Sequence, residues 1–153
     1  MWVENLKNAL GTTCEDITTQ HYRHWSTGDK SADIDYEISV AHQGTLGLDP
    51  YVIIAKSIGT VIAVKGSAEG KLKPKKLILL GVPVNGGITK ELFSAYLQAV
   101  DVEVVVVQNT KDPLGAFSDV KGAFTGSSKS IVFVELPSDT HDYLDFDAIK
   151  KLI

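Results

Sequence analysis

An α/β domain of three layers, a mostly parallel sheet flanked by helices, is the fold class this chain predicts. Two observations carry it. Short, continuous apolar runs recur along the second half of the chain, as strands buried on both faces require. Between them lie segments whose apolar residues repeat at helical spacing. Strands alternating with helices imply βαβ units and hence parallel pairing.

The elements read in order as follows. Trp2, Val3, Leu6, Ala9 and Leu10 make a short amphipathic helix over 2–10 that Gly11 can stop. Residues 14–19 suit a short strand. His21, Tyr22, Arg23, His24 and Trp25 read as an exposed loop. Ser31 or Asp33 can cap a helix reaching about Ala41, with Ile34, Ile38 and Ala41 on one face. Gly44, Gly47 and Pro50 break the chain. Residues 51–55 form the first fully apolar run, and 58–64 continue apolar as a helix. Residues 76–80 form a second buried strand, closed by Gly81, Pro83 and Gly86-Gly87. Thr89 can open a helix through Ala99 with Leu92, Phe93, Tyr96 and Leu97 inward. Residues 102–107 and 130–136 are the third and fourth buried strands, with a short helix between them over 116–124. A last helix holds Leu144, Phe146, Ile149, Leu152 and Ile153. No linker or repeat divides the chain, so 1–153 is read as one domain.

Composition narrows the function classes. The 153 residues are 44% hydrophobic and 22% charged, enough to bury a core. A net charge of −4 does not favour nucleic acid, which needs a concentrated positive field. The single cysteine, Cys14, permits no internal disulfide and fits a cytoplasmic setting. The first residues do not read as a signal peptide, and no apolar stretch approaches the ~20 residues of a membrane span.

Functional groups of parallel sheets gather beyond the carboxyl ends of the strands. After the first buried strand comes Ala55-Lys56-Ser57-Ile58-Gly59. A nucleophilic serine between strand and helix needs a tight turn, with small residues two before and two after it; Ala55 and Gly59 meet that need. The Ile58 N–H would be an oxyanion donor. The plainer alternative, a serine that caps the helix, carries equal weight on this motif alone. After the third strand comes Asp112-Pro113, either an imidazole-orienting carboxylate or turn chemistry. After the fourth comes His141, the only histidine beyond Ser57; a lone loop histidine is usually just solvated.

Ser57, Asp112 and His141 thus follow three different strands at one edge of the sheet, in the order Ser, Asp, His. Here the chain resembles the α/β-hydrolase superfamily, and in particular small bacterial members whose elbow reads Lys-Ser-Ile/Leu-Gly-Thr, as Lys56-Ser57-Ile58-Gly59-Thr60 does. The resemblance implies a serine hydrolase acting on a small ester, thioester or amide. Ser57 would be the nucleophile, His141 the base, Asp112 its orienting acid and the Ile58 N–H an oxyanion donor. No cofactor, metal, nucleic-acid partner or membrane partner is expected from the charge, the apolar stretches and the motifs of this chain. Asp139, Asp142 and Asp145 compete with Asp112 on sequence alone, Asp139 most seriously.

The family also carries strands ahead of its first large helix, the last ending in a His-Gly-type loop with a second oxyanion donor. No counterpart is found ahead of residue 2, so the fold is expected in shortened form. The segment 14–19 and the strand at 51–55 would then pair directly, leave a gap or be bridged by another chain. Catalysis would weaken by about 10²–10³, and the open strand edge would favour a homo-oligomer. Two rival readings follow: a non-catalytic hydrolase-like module that binds a ligand or partner, and a flavodoxin-like binding domain in which Ser57 only caps a helix.

Weaker signals complete the chain. The cluster at 21–25 could line a cleft, though a surface loop with one packed Trp is the plainer reading. His21 and His24 lack a third ligand for a metal. Lys71, Lys73, Lys75 and Lys76 read as a solvated run before the second buried strand. Gly86-Gly87 belongs to no nucleotide-binding fingerprint.

Overall fold

The computed structural model describes residues 1–86, 88–125 and 130–153. Four strands form one sheet in the order β1-β2-β3-β4: β1 Val52–Lys56, β2 Lys76–Leu80, β3 Glu103–Asn109 and β4 Ile131–Leu136. Every pairing is parallel, with Lys56 opposite Leu80, Leu80 opposite Val107, and Asn109 opposite Leu136. All four strands therefore end along one edge of the sheet.

The continuous apolar runs are explained by the two-sided core. Leu77, Leu79, Val104 and Val106 point to one face, and Ile78, Leu80, Val105 and Val107 to the other; all are buried. Each such side chain contributes about 1.5–3 kcal/mol by leaving water. On the first face lie α4 (Ile58–Ala68), α5 (Lys90–Ala99) and α6 (Phe117–Ala123), with α3 (Ile34–Thr45) packed on α4. The second face is covered by α1 (Trp2–Leu10) and α7 (Phe146–Lys150), which pack on each other. A short helix, α2 (Arg23–Thr27), precedes α3. These are the three layers expected.

The differences from expectation have physical causes. Residues 14–19 form no strand. Instead Cys14 and Ile17 pack against the second-face core. β1 pairs with β2 alone among the described residues, so its other edge is open. Val52, Ile53 and Ile54 are accordingly only half-buried, not buried on both faces. Residues 14–19 and β1 do not pair directly. β4 is the opposite edge strand, and Val132 is 49% exposed. On α5, Phe93 and Leu97 face inward while Leu92 does not. α3 runs on through Gly44 to Thr45, its first turn capped by the Asp33 carboxylate, which accepts the Tyr36 N–H. The last helix is shorter than expected, and Leu144 and Ile153 are exposed. Lys76 does not belong to a solvated turn but opens β2, where it pairs with Glu103 at 3.0 Å. Of Gly86-Gly87, the second glycine lies outside the described residues.

Candidate functional site: the turn after β1 and the loops after β3 and β4

Ser57 stands between β1 and α4 with φ 54° and ψ −125°. A non-glycine residue at positive φ costs about 1–3 kcal/mol and persists only where its surroundings impose it. The surroundings here are specific. The Ser57 N–H donates to Leu80 O at 2.9 Å, which continues the β1–β2 ladder one residue beyond β1. The Ser57 carbonyl accepts the Thr60 N–H at 2.9 Å and the hydroxyl of fully buried Thr60 at 2.7 Å. The Ser57 side chain makes no capping bond to α4. The plain capping role weighed from the sequence is therefore not what this serine does.

Small residues let strand and helix meet. A Cβ on Gly59 would lie 3.7 Å from that of Ala55 and 2.5 Å from the Tyr22 hydroxyl. Tyr22 is held there by its neighbours: the Gln20 amide and the Arg23 N–H both donate to the buried Glu37 carboxylate, at 2.7 and 2.8 Å. Burial, and secondarily the charge of Glu37, pushes the Tyr22 phenol up to about 12. So the 21–25 cluster is partly helical rather than a loop, and its packed ring is Tyr22; Trp25 is 49% exposed. His21 meets Trp25 edge-on at 5.1 Å, and His24 stacks on Tyr22 at 5.9 Å.

Asp112 and His141 come together. Asp112 lies in the loop after β3, its carboxylate wholly removed from solvent. His141 Nδ1 lies 2.9 and 2.8 Å from its two oxygens. The same carboxylate accepts the Leu114 N–H at 2.8 Å and the Tyr143 hydroxyl at 2.6 Å. An acceptor-only carboxylate at Nδ1 selects the tautomer with its proton there and leaves Nε2 with a lone pair. His141 Nε2 is shielded from solvent and has no hydrogen-bond partner among the described residues. The competing carboxylates lie elsewhere: Asp139 and Asp142 are exposed, and Asp145 caps α7 by accepting the Ala148 N–H at 2.9 Å.

Gly81 links this pair to Ser57. It directly follows Leu80, whose carbonyl holds the Ser57 N–H. A Cβ at Gly81 would sit 2.8 Å from His141 Cε1, 3.1 Å from Nδ1 and 2.6 Å from Tyr143 Cε2. The imidazole thus rests on the bare backbone beside the serine turn. No hydrogen bond joins Ser57 to His141 in this structure. Ile58 opens α4, so its N–H is among the four that an α-helix cannot pair internally.

Sequence reasoning missed the residues that brace these loops. Tyr143, 2% exposed and at φ 54°, donates its hydroxyl to Asp112 and accepts the Asn109 N–H at 3.0 Å. Burial, then the bond to Asp112, raises its phenol well above the ordinary value. Asn109 Nδ2 donates to Thr140 O at 2.8 Å, tying the His141 loop to the end of β3. Buried Gln108 accepts the Val82 N–H and donates to Gly115 O. The one available signal was polar Gln108-Asn109 closing an otherwise apolar strand.

Comparison with solved structures decides the fold. A pyrethroid hydrolase from Sphingobium faniae JZ-2 superposes with a TM-score of 0.75 at 10% identity, over 99% of this chain and 89% of that one. The fold is α/β-hydrolase-like. An alpha-beta serine hydrolase homologue from Coxiella burnetii matches at 0.68 and 18% identity, over 99% and 73% of the two chains. The type II thioesterase BorB from the borrelidin biosynthetic cluster matches at 0.69 and 15%, over 99% and 82%. No family model and no curated protein matches the sequence. Among the described residues, no helix is long and apolar enough to cross a membrane.

Proposed function

We propose that this α/β-hydrolase-like domain is a serine hydrolase that cleaves a small ester, thioester or amide through an acyl-enzyme. The observation that carries the reading is the backbone of Ser57: strained, at a strand–helix turn, with its hydroxyl unused by the helix. Strained residues of that kind cluster at active sites.

In this reading Ser57 Oγ attacks the acyl carbonyl carbon while His141 Nε2 takes its proton. Asp112 holds the imidazole and stabilises the charge it gains. The Ile58 N–H donates to the oxygen that becomes negative. Collapse of the tetrahedral adduct breaks the bond to the leaving group, which receives the proton from His141. Water, activated by the same imidazole, then releases the acid and restores Ser57. Tyr143 and Asn109 position Asp112 and the His141 loop and touch no substrate.

Rapid mixing with p-nitrophenyl butyrate tests this. The expected result is p-nitrophenol release that depends on Ser57 and His141, with butyryl trapped on Ser57 after an acid quench. Release that survives in both Ser57→Ala and His141→Ala would overturn it.

A further inference from the structure

Lys56 is the last residue of β1 and immediately precedes Ser57. Its side chain points to the face covered by α1, half-buried, with its ammonium 5.9 Å from the centre of the Trp2 ring. Trp2 is fixed in turn: its indole N–H donates to Tyr143 O at 2.9 Å, two residues beyond His141. The ammonium therefore lies against a ring that is tied to the loop carrying His141.

It is also uncommitted. Among the described residues Lys56 makes no ion pair within 4 Å and no hydrogen bond, whereas Lys65, Lys71 and Lys76 each have a carboxylate partner. Asp142 and Asp112 stand near enough for their charges to act on it, but neither pairs with it. Asp142 is exposed, and Asp112 is engaged by His141, Tyr143 and Leu114. Burial lowers the readiness of Lys56 to hold its proton, and those two carboxylates oppose that effect. A half-buried ammonium one residue from the nucleophile whose hydrogen-bond donors touch no carboxylate can give them to one on the substrate.

We infer that Lys56, backed by the Trp2 ring, determines specificity by receiving a carboxylate carried by the substrate, so that the preferred acyl compound is a monoanionic ester or thioester rather than its neutral counterpart. This rests on the serine hydrolase reading for the chemistry but not for the binding.

The experiment separates the two. In the Ser57→Ala protein, which cannot turn over, the Trp2 indole N–H resonance is followed by heteronuclear NMR during titration with monomethyl glutarate or with neutral dimethyl glutarate. The expected result is a saturable shift with the monoanion at least tenfold tighter than any with the diester. Lys56→Met, which keeps the apolar stem, should bring the two to within about twofold, and Lys56→Arg should restore the preference. In protein with Ser57 intact, kcat/KM for the same pair should differ by about tenfold in the same sense. Equal affinity for both esters, or a preference untouched in Lys56→Met, would overturn the inference. Absence of Ser57 acylation alongside the Lys56-dependent shift would overturn the hydrolase reading and leave the carboxylate site standing.

Discussion

Replacing Gly81 with alanine probes the junction of the three site residues. The added methyl carbon would lie 2.6 Å from Tyr143 Cε2 and 2.8 Å from His141 Cε1, well inside contact distance. One or both rings must move by several tenths of an ångström to an ångström. Gly81 also has φ 64°, so alanine there adds about 1–2 kcal/mol of backbone strain. With ring displacement costing about 1–3 kcal/mol, the total loss is roughly 2–5 kcal/mol. For a chain of this size that lowers Tm by about 4–20 °C. Activity should fall further than stability implies, because a shift of about 1 Å in a catalytic group costs about 10²-fold. Fluorophosphonate labelling rates, measured well below both melting temperatures, read the second effect. The His141→Ala background supplies a cycle: part of the clash is gone, so the stability penalty of Gly81→Ala should shrink measurably. A Gly81→Ala protein that labels at the wild-type rate would refute the placement of His141 against this backbone.

Three more predictions use the same geometry. Tyr143→Phe keeps the ring but strips Asp112 of one donor and leaves the Asn109 N–H unpaired in the interior, so thermal unfolding should show a loss of about 2–4 kcal/mol, with labelling slowed less than in His141→Ala. Ser57→Gly relieves the strain at φ 54° and should raise stability by about 1 kcal/mol while abolishing labelling; no gain in Tm would argue against the strain. Tyr22 ionises near pH 10 when unfolded and about 12 when folded, so the folded state holds its proton longer and stability is lost as pH rises across that window. Absorbance at 295 nm should show Tyr22 and Tyr143 lagging the other tyrosines, and Tyr22→Phe should make the alkaline loss shallower.

The strands and the helices between them were legible because β2 and β3 alternate their side chains between two buried faces, which leaves 77–80 and 104–107 wholly apolar. The positions of Ser57, Asp112 and His141 were legible for a related reason: parallel strands all end at one edge. What was not legible is set by non-local neighbours. The apolar run of β1 reads as fully buried whether or not a strand lies on its far side, and Val52 to Ile54 are half-buried because none of the described residues does. Residues 14–19 read as a strand, yet they leave the open edge of β1 unpaired and pack Cys14 and Ile17 on the second-face core instead. Tyr22 and Tyr143 are ordinary tyrosines in the sequence; their roles come from contacts to Gly59 and Asp112 that no spacing rule encodes.

The central claim is that Ser57 is a nucleophile activated by His141. Labelling with an alkyl fluorophosphonate, followed by peptide mapping, tests it most directly. The account predicts one adduct, on Ser57, lost in Ser57→Ala and strongly slowed in His141→Ala. A folded wild-type protein that takes up no label, or takes it up at another residue, would contradict it.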